Sequence, residues 1–330
     1  MIARGADRAG VSAPAARKTD RRPSRRADHA RAFARELRAE FLPASVLAVF
    51  VGAALAFYDT GHWHGWFFLV SVLGVCALHA GANVLNDYCD HRSGNDAINK
   101  DFIRPFTGGS RLIQQGVLRP NEVLGLGAAL IGVGVGVGSY LAFRVGPGVL
   151  AFLALGVLAG VGYSIPRIGL AARGAGEATV ALAFGVLPVV GAYYVQTGTV
   201  TARAVVLSLP VAVLIAAVLF INQFPDSRAD RAVGKRHWVV RLGPERAARV
   251  YVALMGLWVG LLLLGAGTGK IPPFLAWAAL PGLLAIPASR RVLRHFDTPA
   301  AQAPAHALTI LMHLLVTAAL GTMLMLARIL

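Results

Sequence analysis

Apolar residues run through this chain in long blocks and do not alternate with polar ones. A helix needs roughly 20 mostly apolar residues to cross a bilayer. Nine stretches meet or approach that length: residues 42–58, 66–85, 123–143, 147–166, 178–195, 204–224, 250–267, 271–287 and 305–327. They predict an all-α, polytopic membrane helix bundle with about nine transmembrane helices. The third stretch carries Gly132, Gly134, Gly136 and Gly138, and small residues of this kind let membrane helices approach closely. The seventh and eighth stretches are close together and suit a tight hairpin, so whether both fully cross stays open.

Charge gives the bundle a direction. With a cytoplasmic N-terminus, 28 of the 32 Lys and Arg fall on the cytoplasmic side, leaving Arg144, Arg203, Lys270 and Arg328 opposite. That split obeys the positive-inside rule and predicts a multi-pass protein of the cell (inner) membrane with its N-terminus in the cytoplasm. Composition agrees. The 330 residues are 56% hydrophobic and 15% charged, against about 25% charged in soluble domains. A soluble globule is excluded, and so is disorder outside the N-terminus. Two Cys exclude a disulfide framework and a Cys-based zinc site.

Residues 1–40 form a basic tail with 11 basic and five acidic residues. The first 25 or so read as disordered. From Arg26 onward, Phe33, Leu37 and Phe41 recur on one face, with Arg31, Arg35 and Arg38 elsewhere. That pattern suits a helix lying on anionic lipid; a plain positive-inside anchor is the other reading. No apolar h-region follows the first charges, which argues against a cleavable signal peptide. Residues 41–330 form the transmembrane domain.

Two of the acidic groups stand out. The first, NVLNDYCDHRSGND, follows the second apolar stretch and holds Asn83, Asn86, Asp87, Asp90 and Asp96. On a continuing helix Asn83 and Asp87 are one turn apart, as are Asn86 and Asp90, while Asp87 and Asp90 share a face at i,i+3. The second, INQFPDSRAD, follows the sixth stretch and places Asn222, Asp226 and Asp230 at i,i+4 spacing. Asn83 and Asp87 recur as Asn222 and Asp226 after 139 residues and four apolar stretches. This predicts a pseudo-repeat of four-helix units.

Carboxylates clustered at a membrane boundary repel one another and lose hydration. Mg²⁺ balances such charge with a few carboxylates and a substrate phosphate. The two groups therefore point to Mg²⁺ bridging to a diphosphate. The expected metal ligands are Asn83, Asp87, Asp90, Asp96, Asn222, Asp226 and Asp230. Arg104, Arg111, Lys235 and Arg236 are the expected diphosphate contacts, with Lys235 and Arg111 foremost. Backbone N–H groups at Gly108, Gly109 and Ser110 are further phosphate donors. A third polar stretch, YSIPRIGLAARGAGEA, puts Tyr163, Arg173 and Glu177 on the same side; Arg173 and Glu177 at i+4 read either as a plain ion pair or with Arg173 binding an anionic co-substrate.

These motifs resemble the UbiA superfamily of intramembrane prenyltransferases, whose members have nine transmembrane helices and Asp-rich motifs after the second and sixth. The likeness runs from about residue 40 to the end. Within the superfamily, NDYCDHRSGND is similar to the NDYxDxxxGxD form of 1,4-dihydroxy-2-naphthoate polyprenyltransferases of menaquinone biosynthesis, and DSRADRAVGKRHWVVRLG is similar to the same branch. The chain departs from that branch at Gln223-Phe224-Pro225, where Pro225 is expected to bend the helix, and at His237-Trp238. The resemblance implies an active site at the cytoplasmic face. There, Asp87, Asp90, Asp226, Asp230 and Lys235 would be catalytic, with Mg²⁺ as cofactor. The implied reaction passes a polyprenyl group from polyprenyl diphosphate to an aromatic small-molecule acceptor, 1,4-dihydroxy-2-naphthoate, giving demethylmenaquinone. Tyr163 and Arg173 are its acceptor-side candidates.

Rivals stay open. The acceptor could be 4-hydroxybenzoate, homogentisate or a lipid partner. A polytopic transporter with a cation site is the rival from another class, although transporters usually bind near the midplane. Membrane lipid surrounds the bundle, no nucleic-acid partner is expected, and the oligomeric state is left open. GAGTGK at residues 265–270 is no P-loop, because Leu264 stands at the first Gly position. His79, His306 and His313 lie inside spans and read as packing or hydrogen-bonding residues.

Overall fold

A computed structural model describes residues 25–330, with side chains from His29 onward. The disorder expected of the first 25 or so residues falls outside the described ones. The helices are α1 (Arg25–Glu36), α2 (Leu42–Thr60), α3 (Gly65–Ser93), α4 (Asn95–Ile98), α5 (Pro120–Val145), α6 (Gly148–Ser164), α7 (Gly176–Val180), α8 (Leu187–Thr197), α9 (Ala202–Ala232), α10 (Trp238–Leu242), α11 (Pro244–Gly267), α12 (Ala285–Arg294) and α13 (Ala303–Ile329). A wide π-helical turn, Ala181–Val186, joins α7 to α8.

Seven helical segments among the described residues are long and apolar enough to cross a membrane, and α6 is a shorter apolar helix. The stretch expected over 271–287 is different. Pro273–Leu284 is a 3₁₀ helix that continues into α12. Pro272, Pro273 and Pro281 bring no N–H groups to a helical ladder. A 3₁₀ helix rises about 2.0 Å per residue, so twelve residues cover about 24 Å. Trp277, at 68% exposure, Leu280 and Leu283 face outward from it.

The two halves of the bundle echo each other. α3 and α9 are the long helices that end in the acidic groups. Each is followed by a loop with a short helix, α4 or α10, and then by a helix opened by proline, Pro120 in α5 and Pro244 in α11. Proline suits that first position, where its missing N–H would have no partner anyway. Gly94 ends α3 at φ 77°, a left-handed conformation that glycine adopts freely, and turns Asn95 and Asp96 back toward the bundle. α9 carries through both Pro210 and Pro225 without ending.

In lipid, close van der Waals packing holds helices together, since the surroundings are as apolar as the side chains. The main core joins α2, α9, α11 and α13 through Leu55, Leu214, Phe220, Trp258 and Leu320. A second cluster sets Phe33 of α1 against Val84, Leu112 and Val123, so the apolar side of α1 meets protein. At the end away from the acidic groups, Asp59 accepts a hydrogen bond from Tyr193 (3.1 Å) and pairs with Arg203, linking α2, α8 and α9.

Gly52 shows how tight this packing is: a Cβ there would lie 2.0 Å from the Val189 carbonyl oxygen. Gly52→Ala is expected to lower stability by about 1–3 kcal/mol through overpacking. Gly132 has open space around it, and Gly132→Ala is expected to leave the thermal midpoint in detergent unchanged or raised.

Candidate active site

One cavity of ≈ 390 Å³ opens among α2, α3, α5, α6, α8 and α9. On α3 its lining runs from Ser71 to Asp90, about 28 Å of helix. The end near α4 and α10 is polar. The remainder is walled by Leu78, Val137, Phe152, Leu153 and other apolar side chains.

The polar end joins the two acidic groups. Lys235, in the loop after α9, reaches Asp90 of α3 at 2.6 Å and Asp230 of α9 at 3.2 Å. Asn95 donates to Asp230 (2.9 Å) and Asn99 donates to Asp226 (2.7 Å), which ties the first motif's loop to the second motif's helix. His237 meets the other Asp230 oxygen at 3.0 Å. Asp230 is therefore held on both oxygens. Asp90 and Asp226 each keep one oxygen without a protein hydrogen bond among the described residues. Burial works against the Lys235 ammonium, but Asp90 and Asp230 outweigh it and hold its pKa well above that of ordinary lysine. Burial, with Asp90 and Asp87 nearby, pushes the Asp96 carboxyl up to about 7.

The remaining expected residues divide clearly. Asn83, Asn86, Asp96, Asn222 and Tyr163 line the cavity. Asp87 does not: it is buried on another side of α3, accepts the Ser110 backbone N–H at 2.8 Å and lies 3.8 Å from Arg38. The Ser110 N–H is thus engaged by protein. Arg111 braces the α4 loop, donating to the carbonyls of Asp96 (2.5 Å) and Asn99 (3.4 Å) and lying over Phe102. Arg104 is exposed over the same ring. Arg236 is exposed, and Arg173 is exposed with its guanidinium on the Arg167 carbonyl. Of the four expected diphosphate contacts, only Lys235 lines the cavity.

Sequence reasoning missed Arg38, Asn95, Asn99 and His237, all of which line the cavity. Asn95 lies inside the first motif and Asn99 one helical turn further on, a signal that was present. Arg38 gave none. It is reached because residue 38 takes a left-handed φ of 50°, while Glu36 beside it is buried and accepts from the Ser110 hydroxyl (2.5 Å). Arg38 and Arg111, at φ 61°, are the two non-glycine residues with positive φ among those described, and both adjoin this site.

The donor set fits Mg²⁺. Every candidate ligand atom at the polar end is oxygen, the Asn95 amide oxygen is buried without a partner, and burial with Asp90 and Asp87 nearby raises the pKa of the Asp96 carboxyl despite Arg111 and Lys235. Among the described residues no three His, Cys, Asp or Glu side chains converge to cage an ion by themselves. That is the ordinary situation for Mg²⁺, which uses one or two carboxylates and borrows the rest from substrate phosphates and water.

Comparison with known proteins follows the same lines. Residues 45–315 match the model of the UbiA prenyltransferase family. The chain is 31% identical over 289 residues to 1,4-dihydroxy-2-naphthoate octaprenyltransferase of Escherichia coli (strain K12), covering 83% of this chain and 88% of that one. It is 29% identical to 2-carboxy-1,4-naphthoquinone phytyltransferase of Synechocystis, covering 76% and 78%. Among solved structures, a UbiA homolog from Archaeoglobus fulgidus bound to DMAPP and Mg²⁺ superimposes with a TM-score of 0.64 at 16% identity, covering 89% of this chain and 98% of that one.

Lys235→Met would leave Asp90 and Asp230 facing each other without compensation. It is expected to cost stability at the lower end of about 3–5 kcal/mol. Adding Asp90→Asn should recover part of that loss, so that the double variant melts above the sum of the singles.

Proposed function

The chain belongs to the UbiA prenyltransferase family and is an integral membrane prenyltransferase, and from that premise we propose that it transfers a polyprenyl group, with Mg²⁺, from polyprenyl diphosphate to 1,4-dihydroxy-2-naphthoate. The observation that carries the reading is the single cavity shared by both acidic motifs, with Lys235 tied to Asp90 and Asp230 at its polar end. The naphthalene ring as acceptor is supported by the names of the Escherichia coli and Synechocystis relatives.

The residues that would hold Mg²⁺ are Asp90 and Asp226, through their free oxygens, with Asn83, Asn86, Asn222 and Asp96 around them. Bound there, the ion supplies charge neutralisation for the departing diphosphate. Asp230 positions Lys235 and Asn95. The Lys235 ammonium has three N–H donors and two carboxylate partners, leaving one for a phosphate oxygen. These fixed charges stabilise the negative charge that grows on the diphosphate as the allylic C–O bond breaks, in a site largely screened from water. The apolar walls below accept the polyprenyl chain, and the half-buried Tyr163 stands on the acceptor side. Ring attack on the cation-like carbon, with loss of carbon dioxide, completes the transfer. The acid-bearing end faces the cytoplasm in this reading, which keeps 28 of 32 basic residues on that side.

Asp90→Asn and Asp226→Asn are each expected to lower turnover by at least about 100-fold while the protein remains inserted and folded. Chelation with EDTA should stop product formation in membranes given a polyprenyl diphosphate and the naphthoate, and Mg²⁺ should restore it. Near-normal turnover in either variant, measured by mass of the prenylated product, rejects the assignment.

A further inference from the structure

Two histidines line the same cavity without serving its acid layer: His79 on α3 and His313 on α13. His79 lies seven residues before Asn86. His313 lies seven residues beyond His306, whose Nδ1 meets the Asn222 side chain at 2.8 Å. Seven helical residues rise about 10 Å, and the two helices run in opposite senses past the cavity. Both imidazoles therefore sit at one depth, about 10 Å beneath the Asn86 and Asn222 amides.

Packing does not account for either ring. His313 is 1% exposed; the Ala44 backbone lies beside its ring, and neither ring nitrogen makes a hydrogen bond of good geometry among the described residues. Polar groups buried that deeply are normally paired, and its neighbours on the helix face, Ile310 and Leu314, are apolar. His79 is satisfied on one side: its Nδ1 lies 2.8 Å from the Ser45 hydroxyl. Ser45 makes no other hydrogen bond among the described residues, so its proton is the one shared. That assigns the His79 ring proton to Nε2, a donor with no protein acceptor. Phe184 lies edge-on against the ring, with centroids 4.6 Å apart, and fixes its plane.

A prenyl chain is hydrocarbon and offers these groups nothing. The other substrate does. An aromatic acceptor must bring its attacked carbon to the allylic carbon beside the diphosphate, and hydroxyls on that same ring can then lie deeper in the cavity than the diphosphate. We propose that His79 and His313 recognise the aromatic acceptor by hydrogen-bonding its ring oxygens beneath the diphosphate site. His79 supplies a donor. His313, neutral, supplies one donor and one acceptor, the complement of a phenolic hydroxyl. A pocket built to bond a substrate hydroxyl discriminates strongly against the analogue that lacks it. The inference rests on prenyl transfer as proposed above and adds which residues choose the ring.

The test uses the full-length chain in membranes, with the acceptor and the polyprenyl diphosphate varied separately. His79→Leu and His313→Leu are expected to raise the acceptor KM about tenfold while the KM for the polyprenyl diphosphate stays within about twofold. The preference for 1,4-dihydroxy-2-naphthoate over a naphthoate with one hydroxyl should fall by a similar factor. His313→Gln keeps a donor and an acceptor in less volume change, so it should retain part of the preference and also serves if His313→Leu does not fold. An unchanged acceptor KM in His79→Leu, or acceptor and polyprenyl diphosphate KM values rising in step in either leucine variant, overturns the inference. Wild-type protein that prenylates no aromatic ring overturns the parent reading, and this one with it.

Discussion

Carboxylates at the edge of a hydrocarbon layer must be balanced, and most of this molecule's polar architecture follows from that need. α3 and α9 each deliver acids to one end of the bundle, where hydration is poor. Lys235 answers two of them at once. Asn95 adds an amide donor to Asp230, and Asn99 gives one to Asp226. What remains is an incomplete balance, with free oxygens on Asp90 and Asp226 and a reluctant acid at Asp96. A site finished by protein alone would have little affinity for a cation carried in with a phosphate. In the proposed reaction, an arriving cation and its phosphate would fill that shortfall.

The balance also makes the two halves of the chain interdependent. Asn95 of the first motif and Asn99 just beyond it fix acids of the second, while Lys235 follows the second motif and fixes an acid of the first. Neither half can form its part of the site alone. Opposite this end, Asp59, Tyr193 and Arg203 lock three helices together. The cavity is thus pinned at both ends, with its long apolar middle lined by small residues such as Gly134, Gly138 and Gly156.

Much of this was legible in the sequence. The apolar blocks gave the bundle, and the i,i+4 run of Asn222, Asp226 and Asp230 gave a face that the structure turns to the cavity. Lys235 was legible because it follows that run in a short loop. The first motif was harder. Asn83–Asp87 and Asn86–Asp90 are both one-turn pairs, and spacing alone cannot say which faces inward; tertiary packing places Asp90 at the cavity and Asp87 against Ser110. Arg104, Arg111 and Arg236 were chosen for charge, but an arginine side chain also braces carbonyls and rings, as Arg111 does. The eighth apolar stretch has the length of an α-helical span, but it carries Pro272, Pro273 and Pro281 and forms a 3₁₀ helix with a longer rise per residue.

The N-terminal segment carries a consequence of its own. Hydropathy draws the boundary of the membrane part at residue 42, yet Arg38 lines the cavity and Glu36 accepts from Ser110 in the loop beside it. A trimming strategy that keeps the apolar portion alone would remove a wall of the vessel along with the apparent ballast. The basic leader is in part a lintel over the doorway, built from residues whose composition resembles that of a mooring rope.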